Sequence, residues 1–213
     1  MVKKLSYFLL AVVTVFVFDS CSLKARIKRA DKQYASGEYY AASLKYKKVL
    51  SKIPGKDKAL RARIAFNQAE CQRIINYNTA EQMYVNAIRY GYKDSIVYFR
   101  YAQVLQRNGK YPDAAKNYGI YLKSNPGNEA AKNGLLAQKL VDKYKANPTG
   151  YIVKKYDAFN SNRSYTFSPS FLTSDADVLF FTSNRVFNKK NGQNNSAVTG
   201  LSDINIYSAR KNA

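Results

Sequence analysis

The sequence predicts a mainly α fold, an α-solenoid of stacked helical hairpins followed by a small antiparallel β segment. Three observations predict it. A pattern recurs at close to 34 residues: Gly37-Glu38-Tyr39, Ala42, Tyr46, Val49 and Pro54 match Gly109-Lys110-Tyr111, Ala114, Tyr118, Tyr121 and Pro126. A middle copy carries Asn76-Tyr77, Ala80, Tyr84 and Ala87, so that Tyr39, Tyr77 and Tyr111 mark successive copies. The character of the chain then changes after Asn147-Pro148-Thr149-Gly150, a turn-rich linker beyond which β-branched and aromatic runs dominate.

The elements follow in order. Residues 1–21 read as a targeting segment: Lys3 and Lys4, an apolar stretch from Leu5 to Phe18, then Ser20 before Cys21. The stretch is shorter than the ~20 residues a spanning helix needs. A small residue followed by Cys after such a stretch resembles the signal of bacterial lipoproteins. That resemblance implies cleavage before Cys21, acylation of Cys21, and anchoring at the outer membrane facing the periplasm.

Residues 22–146 hold three hairpins and a capping helix. The first pairs a helix over Leu23 to Ser36 with one over Glu38 to Lys52. Gly37 stands at the reversal, and Pro54-Gly55 ends the pair. The second pairs Asp57 to Ile74 with Thr79 to Tyr90; Ile75 stands where the other copies have Gly. The third pairs Ser95 to Arg107 with Pro112 to Lys123, around Asn108-Gly109, with Pro112 in the first turn of its helix. Ala30 and Ala102 in first helices, and Ala42, Ala80 and Ala114 in second helices, permit close helix approach. Tyr46, Tyr84 and Tyr118 fill the space between hairpins. Asn128 to Lys145 reads as an amphipathic cap with Leu135, Leu136, Leu140, Val141 and Tyr144 on its apolar stripe, closing the open end of the array.

The period, the Gly-x-Tyr turns and the fixed small residue resemble the tetratricopeptide repeat. In that family the first helix of each hairpin lines a groove that holds peptide segments. The matching positions here are Tyr34, Phe66, Gln72, Arg73, Phe99, Arg100, Gln103 and Arg107. Arg73, Arg100 and Arg107 would make the groove basic and suited to carboxylates of an acidic peptide.

Residues 151–213 read as strands at Tyr151 to Tyr156, Val178 to Thr182 and Ile204 to Tyr207, with an exposed loop over Asn188 to Gly200. Phe167-Ser168-Pro169-Ser170-Phe171, then Asp175 and Asp177, then Leu179 to Arg185, with Ser202-Asp203-Ile204 and Tyr207, resemble one blade of a TolB-like or WD-like β-propeller. Propellers close with 4–8 blades, so this segment reads as incomplete and the chain as the front of a longer protein.

Composition narrows the chemistry. There is no His and only two Cys, which removes the usual general base and any Cys/His metal site. No catalytic residue, metal ligand or cofactor is expected. Asp175 and Asp177 fall in a turn, and two carboxylates alone seldom hold an ion. Cys71, inside a helix, is expected to be a buried thiol. The net charge of +21 favours anionic partners: acidic protein, anionic lipid or a cell-wall polymer. Nucleic acid is not expected, because the aromatics follow packing spacing and the N-terminus is a secretion address.

The order of lipoprotein signal, helical repeats and propeller segment resembles PorE-like lipoproteins of Bacteroidetes, of the OmpA family. Those proteins belong to the type IX secretion and gliding machinery. The resemblance implies a non-enzymatic scaffold that docks envelope proteins; the OmpA-like domain itself is not in this sequence. The alternative is the front of a propeller-containing serine peptidase whose catalytic domain lies beyond residue 213. No Gly-x-Ser-x-Gly elbow is present here.

Overall fold

The computed structural model describes residues 23–152, 154, 164–172, 174–185 and 195–210. Residues 1–22, with the expected targeting segment and Cys21, and most of the Asn188 to Gly200 loop lie outside the described residues. The chain divides into two compact units, with the boundary between Pro148 and Thr149. No helix among the described residues is long and apolar enough to cross a membrane.

The first unit is helical throughout. Helix α1 covers residues 23–35. It is followed by α2 (Tyr39–Leu50), α3 (Lys58–Ile75), α4 (Tyr77–Arg89), α5 (Ile96–Arg107), α6 (Tyr111–Ser124) and α7 (Glu129–Ala146). From α2 onward each helix packs on the next one in the chain, and α5 also reaches α7. Packing between sequence neighbours is what makes a repeat array quasi-one-dimensional.

Three turns stop helices in the same way. Gly37, Gly91 and Gly109 take φ of 78°, 82° and 75°, a left-handed conformation that costs a residue with a Cβ. In each case the glycine N–H and the next N–H reach back to carbonyls three and five residues earlier. At the last turn Gly109 donates to Gln106 at 3.1 Å and Lys110 to Leu105 at 2.9 Å. This pair of bonds is the Schellman closure. The turn without a glycine closes differently. Asn76 alone joins α3 to α4, in extended backbone (φ −155°, ψ 94°), and its side-chain oxygen accepts from the Asn78 N–H at 3.1 Å. One residue therefore ends one helix and caps the next, and α4 begins two residues earlier than the sequence suggests.

The cores are three separate clusters. Ile27, Ala30, Ala42, Tyr46, Val49, Ile53, Ile64 and Cys71 form the first. Ala65, Ala69, Ala80, Tyr84, Ala87, Val97 and Val104 form the second. Phe99, Ala102, Leu105, Ala114, Tyr118, Tyr121 and Ala131 form the third. The repeated alanines are fully buried, so the small residues sit at the close approaches. Each repeated tyrosine is buried in its cluster and donates its hydroxyl to the first helix of its own hairpin. Tyr46 donates to Asp31 at 2.7 Å, Tyr84 to Glu70, and Tyr118 to Gln106 at 2.8 Å. These bonds satisfy the polar end of an otherwise apolar plug.

Helix α7 corrects the expected cap. Its predicted stripe points outward: Leu136, Leu140 and Tyr144 are 49%, 53% and 68% exposed, and Leu135 is exposed as well. The docked face carries Ala131, buried, and Gly134. A Cβ on Gly134 would lie 2.3 Å from a ring carbon of Tyr118. The helix docks by backbone proximity over a tyrosine ring, which small residues allow and leucines do not.

Among the described residues the second unit is a three-stranded antiparallel sheet in the order β1 (Thr166–Phe171), β2 (Val178–Ser183), β3 (Asn205–Arg210). Of the strand expected over Tyr151 to Tyr156, Tyr151, Ile152 and Lys154 are in no strand and the other positions lie outside the described residues; the first described strand falls on the Phe167 to Phe171 motif. The register breaks between Phe167 and Ser170, where Ser168 has a φ of 51°, a bulge beside Pro169. The Thr-Ser-Asn-Arg run closing β2 ties the sheet. Ser183 donates to the Tyr165 carbonyl at 2.7 Å, and Arg185 donates to Thr166 at 3.1 Å. The Arg185 guanidinium covers the rings of Phe181 and Tyr207 at 4.9 and 5.9 Å.

Candidate functional site

The first-helix positions expected to face a groove divide into packing residues and open ones. Tyr34 is half-buried and meets Tyr39 edge-on at 5.8 Å. Phe66 stacks on Tyr92 at 4.2 Å and meets Tyr84 edge-on. Phe99 is 8% exposed and packs inward against Tyr118 and Tyr121, at 5.9 and 5.0 Å between centroids. Gln72 ties three helices: its amide donates to Ser43 at 2.7 Å and its carbonyl oxygen accepts from Thr79 at 2.6 Å. These four side chains have structural partners.

The arginines are not equivalent. Glu70 of α3 is buried and collects cations around it. Arg73, one turn on, makes two hydrogen bonds to its carboxylate, at 2.9 and 3.3 Å. Arg100 of α5 approaches the same carboxylate at 3.8 Å. The buried Tyr84 hydroxyl donates to it as well. Burial opposes the charge on Arg73, but the Glu70 carboxylate outweighs it and holds the guanidinium above its usual pKa. Burial, reinforced by Glu70, also pushes Tyr84 up, so its hydroxyl stays protonated. Beside this network, burial and then Glu70 push the Cys71 thiol up to about 12, which leaves it unreactive at neutral pH.

Arg107 stands apart. It is exposed at the end of α5, its guanidinium lies 5.8 Å from the centroid of the Tyr77 ring, and it has no ion-pair partner among the described residues.

Arg73, Gln103 and Arg107 line a cavity of about 700 Å³ with Tyr111 of α6 and Asn133 and Gly134 of α7. Gln103 is further oriented by Arg100, which donates to its carbonyl oxygen at 3.2 Å. Three of the eight expected groove residues thus meet in one concavity, walled on the far side by α7. Tyr111, Asn133 and Gly134 are not legible as site residues in the sequence, because the periodicity of α7 assigns its docked face to the leucines. The chemistry on offer is recognition: one uncommitted cation, one cation shared with a buried acid, amides and a phenol.

The helical unit is an α-solenoid of stacked helical hairpins. No family model matches the chain, and no curated protein matches it. Among solved structures, the chain is similar to the Yersinia enterocolitica type III secretion chaperone SycD in complex with a peptide of the translocator YopD. That match has 19% identity and a TM-score of 0.47, over 57% of this chain and 95% of the other. It is also similar to the first tetratricopeptide domain of human RPAP3, with 21% identity and a TM-score of 0.47 over 60% and 97%. The Arabidopsis OM64 tetratricopeptide domain matches with 19% identity and a TM-score of 0.46 over 57% and 95%.

Proposed function

We propose that this chain is a non-enzymatic interaction scaffold whose helical array holds an acidic segment of a partner protein. The observation that carries the reading is the cavity lined by Arg73, Gln103, Arg107 and Asn133, which combines amide donors with a guanidinium, that of Arg107, that has no ion-pair partner among the described residues. Arginine suits such a role because its planar fork meets a carboxylate with two hydrogen bonds. The net charge of +21 adds a long-range pull on acidic partners.

The test is Arg107→Glu, because Arg107 has no internal acid to lose. A labelled peptide of alternating Asp and Ser should bind the variant at least about tenfold more weakly, with unchanged helicity by circular dichroism. Equal affinity would remove the groove reading. Arg73→Glu is the wrong probe, since it would set a second carboxylate beside buried Glu70 and damage the fold.

The cellular setting is proposed from the N-terminal segment. A lipid on Cys21 would hold the scaffold on the periplasmic face of the outer membrane, as a component of type IX secretion or gliding machinery that docks envelope proteins. Acyl chains gain ~0.8 kcal/mol per buried methylene, so several give stable anchoring. Cys21→Ala should move the protein from washed membranes to the soluble fraction. A variant that still pellets would defeat the lipid anchor.

A further inference from the structure

Each of the first three hairpins covers its first helix with a second helix that brings an alanine and a tyrosine. Helix α7 stands in the position of a fourth first helix. Its inner face is docked through Ala131 and Gly134, and residues 147–152 form no helix to cover it. The face left open carries Leu136, Leu140 and Tyr144, all exposed. At spacings of four they form a single line on the helix, one helix wide.

One border of this line is basic. Lys132, Lys139 and Lys143 fall beside it by helical geometry. Lys132 spends its charge on Glu129 at 2.7 Å, and Asp142 accepts from Gln138 on the other side of the helix. Lys139 and Lys143 have no ion-pair partner among the described residues. A second copy of this chain would bring the same lysines and a net charge of +21 against them, so self-pairing is opposed by charge. An apolar helix bordered by carboxylates meets both the leucines and the lysines.

We propose that the outward line Leu136–Leu140–Tyr144 seats an acidic-bordered amphipathic helix of a partner protein, which docks on α7 as the second helix of a hairpin docks on its first. This surface is independent of the cavity reading. The narrow line favours a helix over a lipid surface, because a membrane would cover a broader apolar face than this line and the neighbouring Leu135 supply.

The test uses the full chain and a labelled peptide of about 18 residues, five helical turns. The peptide carries Leu and Ala along one face and Glu on both borders; a control peptide has Lys in place of Glu. The Glu peptide should bind by fluorescence anisotropy and the Lys peptide should not. Leu136→Ser with Leu140→Ser, and separately Lys139→Glu with Lys143→Glu, should each weaken binding at least about tenfold. Both pairs are exposed, so helicity should be unchanged. Arg107→Glu should leave this binding intact. Equal binding of both peptides, or of neither, overturns the proposal. So does loss of binding in Arg107→Glu alone, which would put the peptide in the cavity. A doubled mass by light scattering that the leucine changes abolish would assign the line to a second copy. Binding to vesicles of anionic lipid without peptide binding would assign it to a membrane.

Discussion

Glu70→Ala is expected to lower the free energy of unfolding by about 3 kcal/mol. The carboxylate is 8% exposed and serves three partners at once: Arg73, Arg100 and the Tyr84 hydroxyl. Its removal leaves one buried hydroxyl without its acceptor and two half-buried guanidinium groups without their counter-charge. Breaking a fully buried pair costs roughly 3–5 kcal/mol. The lower end applies because Arg73 and Arg100 are 22% and 32% exposed and can recruit water. Glu70→Gln keeps an oxygen for Tyr84 and should lose about half as much. Urea melts with unchanged slope would measure both; a loss under about 1 kcal/mol for Glu70→Ala would mean that the arginines rehydrate freely. The milder variant has a second consequence. With Glu70 neutral, Arg73 turns its charge toward the cavity, and an acidic peptide should bind more tightly than to the wild type.

Gly134→Ala is expected to loosen α7 by about 1–2 kcal/mol while leaving α1 to α4 unchanged. The added methyl would meet the Tyr118 ring at 2.3 and 2.4 Å, well inside contact distance. The ring cannot step aside: its hydroxyl is held by Gln106 and its edge by Phe99. Overpacking costs about 1–3 kcal/mol. The gain in helix propensity from Gly to Ala, about 1 kcal/mol, offsets part of it. Amide hydrogen exchange should rise across α7 and not across α1 to α4, since cooperative loss in such arrays spreads through neighbours. Uniform acceleration along the whole unit would show that the array unfolds as one body. Loss of α7 docking also removes a wall of the cavity, so acidic peptide binding should weaken in parallel.

The helical part of the fold was legible because its signals are local. Gly37, Gly91 and Gly109 mark reversals that need left-handed backbone, and the alanine and tyrosine positions mark buried faces that repeat. The Asn76 joint was less legible, since one side chain there does what a glycine turn does elsewhere. The cap was misread for a definable reason. An apolar stripe says that a face wants cover; it does not say which neighbour supplies it. The docked face of α7 is signalled instead by Ala131 and Gly134, a small-residue pattern that hydrophobic periodicity overlooks. Behind the cavity wall, the Glu70–Arg73 pairing sits at a spacing of three that is legible in the sequence. The approach of Arg100, thirty residues away, required the fold.

The three clusters of buried residues share no member; only half-buried side chains such as Leu50, Tyr98 and Tyr101 touch two of them. Each cluster closes over a short stretch of chain, from Ile27 to Cys71, Ala65 to Val104 and Phe99 to Ala131. Such local wiring gives a low contact order and rapid folding. A chain delivered N-terminus first can therefore complete its leading hairpins before the trailing ones have emerged, with no need to wait for a distant partner strand. The order in which residues leave the ribosome is then also the order in which they become native.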